Sequence, residues 1–414
     1  MRNGTGTIKI MKKVTKAVIL AAGEGTRMRP LTYTRPKVML PLATKPILEH
    51  LVIEMSRAGI EEFVLVVGYH DEQIKNYFGA GDCWGIKIQY CNQIKQQGTA
   101  DAVRMVEDQI KDNFLLANGD VIVDRQDIAG LISLNHNALS AIELPNVSGL
   151  GVLEVQGGAI IRIHEKTAEP PSHLVNAGLY LFTPDIFAAI RDTPKSLRGE
   201  YEITDSIQWL IDKGHEVSYR LISQWFDLSY PWDLLTTNEK IMSRLESQFL
   251  GEIEPNAVVK GPVSVGKGSI IRSGSYIVGP VIIGENCDIG PHCFIRPSTA
   301  IGDNCHIGAS VEVKNSIVMT GTKIPHLSYV GDSVIGENCN LGAGTKIANL
   351  RLDKKNVVVN GKDTGRRKLG AIIGDNVQTG INCSINLGTL IGNNTLIGPG
   401  ALAHGIIPPK SKIF

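Results

Sequence analysis

The stretch LAAGEGTRMRPLTYTRPKVMLPL, residues 20–42, combines glycines with fixed positive charges. Gly23 and Gly25 allow backbone angles that are closed to other residues, and they let N–H groups approach an anion closely. Arg27 and Lys37 supply cations that can bind a polyphosphate. The segment is neither a GxxxxGK[ST] phosphate loop nor a GxGxxG dinucleotide loop. The pattern therefore predicts a polyphosphate site of another kind.

A second candidate for chemistry interrupts a regular repeat. From Val259 onward every sixth residue is aliphatic or Met, until the position reached at Pro325. His326, Ser328 and Tyr329 follow, and the aliphatic residues then return out of phase. Because a packed coil has little reason to replace inward aliphatics with such residues, we expect a functional site at this break. A histidine that titrates near neutrality is suited to general base catalysis there.

The elements that must position the glycine-rich loop lie in the first half of the chain. Short apolar runs typical of strands occur at 17–22, 63–68, 86–91, 114–120 and 177–182. Segments with helical spacing, such as 46–60 and 99–110, lie between several of them, and 232–250 is a further helical stretch. This alternation predicts a Rossmann-like α/β domain with a mixed, mainly parallel sheet. Ligands of such folds bind beyond the carboxyl ends of the strands.

The six-residue repeat dominates the second half. It predicts a left-handed parallel β-helix of hexapeptide repeats, in which each triangular coil takes three repeats and the aliphatic side chains point inward. Residues 351–370 do not follow the repeat and predict a projecting loop. The predicted organisation is an N-terminal extension (1–14), a nucleotide-handling domain (15–240), a linker (241–256) and the β-helix domain (257–414).

Composition argues against several classes of partner. The 414 residues carry 42 basic and 41 acidic side chains, so neither nucleic acid nor an anionic membrane is expected as a general partner. No apolar stretch is long enough for a transmembrane helix, and residues 1–16 lack the apolar region of a signal peptide. We expect a cytoplasmic protein that starts at Met1 or Met11.

The seven cysteines form neither a CxxC pair nor a zinc-binding spacing. Five of them share one slot of the repeat, two positions before the aliphatic residue. A shared slot favours a small buried side chain over a metal ligand. The five are Cys287, Cys293, Cys305, Cys339 and Cys383.

The first loop, G-x-G-T-R followed by P-K, resembles the signature of the sugar-1-phosphate nucleotidylyltransferases. Further motifs of that family follow in order, and together they cover residues 15–240. They are QQGTADA (96–102), LANGDVIVD (116–124), LGV (150–152), HEK (164–166), NAGLY (176–180) and WFDLSYPWDLL (225–235).

This resemblance implies a nucleotide site, a sugar pocket and a metal site. The nucleotide-binding residues would be Ala21, Ala22, Gly23, Gly25, Gln96, Gly98 and Thr99. The sugar pocket would contain Gly151, Glu165, Lys166 and Asn176, and Asp120 and Asp227 would bind Mg²⁺. Arg27 and Lys37 would stabilise charge while a sugar 1-phosphate displaces pyrophosphate from a nucleoside triphosphate. Arg29 and Arg35 are expected to be surface charges.

The break in the repeat resembles a second catalytic segment. HLSYVGDSVIGENCNLGAGT (326–345) is similar to the acetyltransferase segment of the bifunctional glucosamine-1-phosphate acetyltransferase/UDP-N-acetylglucosamine pyrophosphorylases. The similarity implies that His326 deprotonates an amino sugar before the amine attacks the thioester of acetyl-CoA. It also implies a set of sugar-phosphate-binding residues, namely Arg296, Lys314, Tyr329, Asn340, Asn349 and Lys368.

The chain departs from the bacterial bifunctional enzymes in two features, the RPLT insertion in the first loop and the short C-terminal end. With these features it most resembles the archaeal bifunctional sugar-1-phosphate nucleotidylyltransferase/acetyltransferases. The resemblance implies UTP or dTTP, acetyl-CoA and the 1-phosphates of glucosamine or galactosamine as substrates in UDP-N-acetylglucosamine biosynthesis, and a homotrimer formed through the β-helix. Two alternatives remain open. One is a monofunctional thymidylyl-, uridylyl- or guanylyltransferase with a scaffold β-helix, and the other is a non-catalytic regulatory or assembly subunit.

Overall fold

A computed structural model of the protein describes residues 13–167 and 169–414. They divide into two compact units, the first with the residues up to Gly23 and Ile47–Phe226, the second with Glu24–Pro46 and Asp227–Phe414. Met11 and nearly all of the predicted N-terminal extension lie outside the described residues. No helix within the described ranges is long and apolar enough to cross a membrane.

The helices and the first strands follow one another in the first 242 residues. The α-helices of the described residues are α1 Ile47–Arg57, α2 Asp71–Phe78, α3 Thr99–Arg104, α4 Arg125–Ile132, α5 Ile186–Asp192, α6 Ile203–Asp212 and α7 Asp233–Met242. The first eleven strands are β1 Lys16–Ala21, β2 Pro41–Leu42, β3 Lys45–Pro46, β4 Glu62–Val67, β5 Lys87–Asn92, β6 Phe114–Asn118, β7 Ala138–Glu143, β8 Gly151–Gln156, β9 Ala159–Glu165, β10 Leu174–Phe182 and β11 Ser218–Leu221.

The first unit is built on a nine-stranded sheet with the order β5-β4-β1-β6-β10-β7-β11-β9-β8. Strands β5, β4, β1 and β6 are parallel, whereas β10 runs antiparallel to both β6 and β7. The sheet is therefore mixed as predicted, but the prediction that it is mainly parallel is wrong, because four of its strand pairings are parallel and five are antiparallel. All five predicted strands are present, and the paired register of Leu20 with Asn118 brings the carboxyl ends of β1 and β6 together.

The helical prediction for 232–250 is correct only in part. Helix α7 ends at Met242, and Gln248–Phe249 instead forms a strand that pairs in parallel with Ser264–Val265. Pairing with the next coil of the second unit outweighs the local helical pattern here. The segment 99–110 is likewise divided into α3 and a 3₁₀ turn at Glu107–Gln109.

The remaining strands of the second unit are short and regularly spaced. They are β12 Gln248–Phe249, β13 Glu252–Ile253, β14 Val258–Lys260, β15 Val263–Val265, β16 Ile270–Ile271, β17 Tyr276–Val278, β18 Val281–Ile283, β19 Asp288–Ile289, β20 Phe294–Ile295, β21 Thr299–Ile301, β22 His306–Ala309, β23 Glu312–Lys314, β24 Ile317–Val318, β25 Lys323–His326, β26 Tyr329–Gly331, β27 Val334–Ile335, β28 Asn340–Leu341, β29 Lys346–Ile347, β30 Val358–Val359, β31 Lys362–Asp363, β32 Ala371–Ile373, β33 Gln378–Thr379, β34 Ser384–Ile385, β35 Thr389–Ile391, β36 Leu396–Ile397, β37 Leu402–Ala403, β38 Ile406–Ile407 and β39 Lys412–Ile413.

All of these strands except β30 and β31, which form a separate antiparallel pair, belong to three parallel sheets, the arrangement of a parallel β-helix. We call the sheet that starts with β12 face one, the sheet that starts with β13 face two and the sheet that starts with β14 face three. Most of these strands point one residue into a continuous apolar core, and the five cysteines of the shared slot are buried in the same core. Their predicted structural role agrees with this burial. The first coil starts at Gln248, within the segment that the sequence suggested as a linker.

The break in the repeat does not lie where the sequence placed it. Ile324 and Val330 both fill inward positions and are fully buried, so Pro325 replaces no inward aliphatic. The spacing between inward residues shortens from six to five residues twice, from Val313 to Val318 and from Val330 to Ile335. Both short steps lie at the corner between face three and face one. Insertion 348–370 enters the same corner one coil later.

Segment Glu24–Pro46 is fastened to the coils of the second unit by a buried arginine. The guanidinium of Arg35 pairs with Glu337 and lies 2.6 Å from Asp375 Oδ2, which also accepts a 2.5 Å hydrogen bond from Thr34 Oγ1. Burial lowers the pKa of Arg35, but Asp375 and Glu337 together raise it above the ordinary value. The expectation that Arg35 is a surface charge is wrong, because only 7% of the residue is exposed.

Candidate active sites

The first unit places most predicted nucleotide-binding residues around the end of β1. The amide of Gln96 donates a 2.6 Å hydrogen bond to the carbonyl of Ala22, which also accepts from the backbone of Tyr69. Asp120 follows β6, whose carboxyl end is paired with that of β1. Ala22, Gln96 and Asp120 therefore belong to one edge of the sheet, where ligands of parallel sheets bind.

Gly98 and Thr99 have packing roles that the sequence does not reveal. Gly98 has φ +116°, and a Cβ atom there would lie 2.3 Å from the carbonyl oxygen of Tyr201. Thr99 Oγ1 accepts a 2.9 Å hydrogen bond from the backbone of Ile203. Both residues thus fix the start of α3 against the segment before α6, whether or not a nucleotide is bound.

The predicted sugar-pocket residues are brought together by β8, β9 and β10. Gly151 pairs with Glu165, and a Cβ atom at Gly151 would lie 3.0 Å from Glu165 Oε1. Asn176, on the neighbouring β10, donates to Tyr180 Oη and accepts from the backbone of Gly178. The structure thus supports the predicted grouping of Gly151, Glu165 and Asn176 at the level of strand pairing.

A cavity of about 740 Å³ lies beside this group, and Glu165 and Lys166 line it. Its wall also contains Arg198, which the sequence analysis missed. The Arg198 guanidinium lies 2.8 Å from Glu202 and 3.9 Å from Glu165. Desolvation raises the pKa of Glu202, and Arg198 lowers it in part. The signal that could have found Arg198 is its position four residues before a glutamate in the polar segment between α5 and α6.

The second unit holds the other predicted nucleotidyl-transfer residues. Gly25 has φ +73°, and a Cβ atom there would lie 2.7 Å from Cβ of Lys37, so this glycine lets the backbone pack on the lysine stem. Arg27 lies over the ring of Tyr230 at 5.8 Å, and Asp227 Oδ1 accepts a 2.5 Å hydrogen bond from Ser229. Arg29, the other arginine expected at the surface, pairs with Glu24 and is exposed.

A half-buried carboxylate, Asp233, lies within electrostatic range of this group. Desolvation raises the pKa of Asp233 to about 6, Asp227 raises it further, and Lys37 lowers it. The backbone N–H of Tyr230 donates a 2.7 Å hydrogen bond to its Oδ2 atom. The pKa of Asp233, a residue that the sequence analysis did not select, is therefore shifted by two predicted functional residues, Asp227 and Lys37.

The two residues predicted to bind a metal ion are both carboxylates, Asp120 in the first unit and Asp227 in the second. Carboxylate oxygens are donors that hard divalent cations prefer, and the Asp227 side chain is exposed. Among residues 13–167 and 169–414 no group of three or more His, Cys, Asp or Glu side chains could hold a metal ion. Two carboxylates suit a cation that keeps several ligands for water and substrate phosphates, as magnesium-type ions do.

The predicted acetyl-transfer residues divide between two parts of the second unit. Arg296, Lys314, Tyr329 and Asn349 lie on face three or at its corner with face one. Tyr329 Oη lies 3.1 Å from Asn349 Nδ2, and Arg296 forms a 2.8 Å ion pair with Glu312. We call these four residues the corner cluster.

His326 lies near the corner cluster in the chain, at the end of β25. Its carbonyl accepts from Ser328 Oγ at 2.8 Å and from the backbone of Gly344 at 3.1 Å. No residue of the described ranges hydrogen-bonds to its exposed ring. Leu327, with φ +52°, lies at the turn between β25 of face two and β26 of face three, and Tyr329 is the first residue of β26. Tyr329, a member of the corner cluster, therefore follows His326 by three residues in the chain.

Asn340 lies apart from the corner cluster, whereas Lys368 forms a β-bridge with Leu350, the residue after Asn349. Asn340 is exposed on face two, where it pairs with Lys323 and Gln378, so the structure does not bring it into the corner cluster. Lys368 lines a cavity of about 560 Å³ with Leu350, Arg366 and Arg367. The backbone of Leu369, next to Lys368, donates to the carbonyl of Asn349.

An α/β nucleotidyltransferase domain followed by parallel β-helix coils with a polar corner defines a class of two-domain transferases. Residues 16–244 match the family model described as nucleotidyl transferase, and residues 277–368 match the GMPPB C-terminal domain. The chain is 45% identical to the bifunctional protein GlmU of Methanococcus maripaludis (strain C7) over 404 residues, which is 96% of this chain and 97% of that protein. It is 41% identical to the bifunctional sugar-1-phosphate nucleotidylyltransferase/acetyltransferase of Sulfurisphaera tokodaii, over 94% of this chain and 97% of that protein.

The chain belongs to this family of bifunctional sugar-1-phosphate nucleotidylyltransferase/acetyltransferases. It is an enzyme with nucleotidyltransferase and acetyltransferase activities, for which nucleoside triphosphates and sugar phosphates are the substrate classes of the first reaction. A solved UDP-glucose pyrophosphorylase in complex with UDP-glucose shares the fold of the first part, with a TM-score of 0.51, 23% identity and coverage of 56% of this chain and 99% of that one. Membership favours the bifunctional interpretation over both alternatives.

Proposed function

We propose that the β-helix acetylates glucosamine 1-phosphate, and its galacto epimer, from acetyl-CoA. The α/β domain would then transfer a uridylyl group from UTP to the product, with dTTP as the competing nucleotide. The observation that carries this proposal is the corner cluster, in which cations, a phenol and an amide lie on face three or at its corner with face one, on the face that the chain enters directly after His326. The names of the full-length relatives support both activities.

In acetyl transfer, His326 would accept a proton from the ammonium group of the amino sugar, so that the amine becomes a nucleophile. The nitrogen then attacks the thioester carbonyl, the C–N bond forms and the C–S bond breaks. The thiolate of coenzyme A leaves and takes up a proton. Arg296, Lys314 and Lys368 would bind the phosphate of the acceptor, and Tyr329 would donate a hydrogen bond to it. Asn340 lies on face two, on the strand next to the one that ends at His326, and it would contact the acceptor from that side.

In nucleotidyl transfer, a phosphate oxygen of the sugar 1-phosphate would attack the α-phosphorus while the bond to the pyrophosphate group breaks. Arg27 and Lys37 would neutralise the charge that develops on the leaving group. Asp120 and Asp227 would hold Mg²⁺, which supplies charge neutralisation to the bound phosphates. Gly23, Gly25, Gln96 and the sugar-pocket residues would orient the two substrates.

We also propose that the coils are left-handed and that three chains associate through their β-helices. The exposed ring of His326 and the cavity beside Lys368 would then face a neighbouring copy. Hexapeptide periodicity supports the handedness, and the outward side chains of face three support association, since Tyr276 and Phe294 pack edge to face on it.

The test is a pair of variants assayed for thiol release and pyrophosphate release over several hexosamine 1-phosphates with UTP and dTTP. His326→Ala should lower acetyl transfer by about 10²- to 10⁴-fold, the contribution of a positioned base, and leave pyrophosphate release intact. Asp120→Ala should do the reverse. Loss of both activities in either variant, or of neither, would contradict the assignment of two separate sites. If the wild type released no thiol with any acceptor, the alternative of a monofunctional nucleotidylyltransferase with a scaffold β-helix would be favoured. The match of residues 277–368 to the GMPPB C-terminal domain is the observation on the side of that alternative.

A further inference from the structure

Asp332 is a buried carboxylate at the second of the two shortened corners. The residue is 2% exposed and has φ +51°, a left-handed conformation. Three side chains donate to it: Lys314 Nζ at 3.0 Å, Asn315 Nδ2 at 2.9 Å and Asn349 Nδ2 at 2.6 Å. The short steps place these groups at one corner in successive coils, because Lys314 pairs with Gly331 and the insertion begins just after Ile347.

The chemistry of Asp332 fixes the orientation of Asn349. An ionised carboxylate can only accept hydrogen bonds, so the amide nitrogen of Asn349 must face Asp332, and its oxygen must face away. The same nitrogen lies 3.1 Å from Tyr329 Oη. Since the amide nitrogen has two N–H groups, it can donate one to Asp332 and the other to the phenol oxygen.

This arrangement directs the hydroxyl of Tyr329. A phenol oxygen that accepts from Asn349 keeps its own O–H for another acceptor. Desolvation raises the pKa of Tyr329, so the hydroxyl stays protonated and remains a donor. Lys314 is also held by Asp332, which lies within hydrogen-bond distance of Nζ through both carboxylate oxygens. Two groups of the corner cluster therefore take their orientation from one carboxylate.

We infer that Asp332 is a positioning residue for acetyl transfer, which orients Lys314, Asn349 and, through Asn349, Tyr329 toward the phosphate of the acceptor. This inference rests on the proposed function of the corner cluster. Asp332 acts through its neighbours and is not itself a catalytic residue. Asn315 donates to Oδ1 of Asp332, whereas Asn349 donates to Oδ2, and the Asn315 amide also donates a 2.8 Å hydrogen bond to Glu239 of α7.

The direction in which the KM for the hexosamine 1-phosphate changes distinguishes a positioning role of Asp332 from simple charge screening. If Asp332 only weakened the positive field of Lys314, its neutralisation would strengthen phosphate binding and lower the KM for the hexosamine 1-phosphate. If Asp332 orients the donors, the same change would release Lys314 and allow the Asn349 amide to rotate. The KM would then rise although a negative charge has been removed.

Asp332→Asn tests this directly, because asparagine tolerates the left-handed backbone and keeps the volume of the side chain. Asp332→Gly is the second variant, since glycine also accepts this backbone and removes both acceptor oxygens. Asp288→Asn is the matched control: Asp288 is another β-helix carboxylate in an ion pair, with Arg272 on face two. Melting temperature and pyrophosphate release establish that each variant is folded.

Both Asp332 variants should raise the KM for glucosamine 1-phosphate about 10- to 100-fold, the range expected when a hydrogen bond to a charged group is lost. The KM for acetyl-CoA and pyrophosphate release should stay within about twofold, as should every constant of Asp288→Asn. An unchanged or lower KM for the amino-sugar phosphate in the folded variants overturns the inference. Absence of acetyl transfer in the wild type would instead refute the proposed function, so the two failures are distinguishable.

Discussion

Arg35→Met should loosen the segment that carries Arg27 and Lys37. Methionine keeps most of the volume of the arginine stem and removes the charge that pairs with Asp375 and Glu337. The Asp375 side chain is only 6% exposed, so the substitution leaves a carboxylate that water reaches poorly. Removal of one partner from a buried ion pair costs about 3–5 kcal/mol.

The lower end of that range applies here. Asp375 keeps two donors after the substitution, the Thr34 hydroxyl at 2.5 Å and the backbone N–H of Glu337 at 2.8 Å. A cost of about 3 kcal/mol corresponds to an increase of about 100-fold in the population of the locally opened state. The opening should be local, because Arg35 lies in a segment that returns to the first unit at Ile47.

Hydrogen exchange measures this opening amide by amide. The N–H groups of Met39 and Leu40, which donate within the 3₁₀ turn at Lys37–Met39, should exchange about 100-fold faster in Arg35→Met. The rate of pyrophosphate release should fall in the same variant, because the loosened segment carries Arg27 and Lys37. The rate of thiol release should stay unchanged. The control is Arg351→Met, which removes an exposed ion pair with Asp353 and should change exchange by less than about fivefold. Equal exchange in the two variants would refute the argument that Arg35 fastens this segment.

Two further predictions concern single residues of the nucleotidyl-transfer site. Desolvation raises the pKa of Asp233 from 3.8 to about 6, so this carboxyl group contributes stability that is lost as pH rises from about 4 to 6. In urea denaturation without divalent metal, Asp233→Asn should remove this contribution of at most about 3 kcal/mol from the pH dependence. Identical pH dependence of the two proteins would contradict this. Gly98→Ala should lower the melting temperature as well as activity, since its Cβ atom would overlap the carbonyl oxygen of Tyr201, with a cost of about 1–3 kcal/mol. A raised KM for nucleotide at unchanged melting temperature would show that Gly98 serves the ligand alone.

The inward row of the β-helix could be predicted because its signal is local and repeated. Aliphatic residues at Ile271, Ile289 and Ile307 follow one another along face two, and each fills the core. The two five-residue steps could not be predicted from the sequence, because two apolar residues are adjacent at the first of them. Val318 is the inward residue, yet Met319 beside it is also buried and continues the six-residue count by accident.

The burial of Arg35, by contrast, could not be predicted from the sequence. Its sequence neighbourhood is polar and rich in arginine, which is typical of an exposed charge. Its partners lie 302 and 340 residues away in the chain, and only the fold brings them to it. Pairing over such separation leaves no local pattern, so burial of a charged residue could not be inferred from the segment itself.

The corner cluster of the β-helix combines two features, an unbroken row of inward aliphatic residues and two shortened corners. Inward positions stay aliphatic through the break, from Ile324 to Val330, so core packing is kept where chemistry is added. What changes is the corner, where the step between inward residues loses one residue from Val313 to Val318 and again from Val330 to Ile335. Asp332 is buried at the second short corner, while its donors Lys314 and Asn349 stay partly exposed. We therefore expect function to be added to this fold at its shortened turns, with the apolar interior kept.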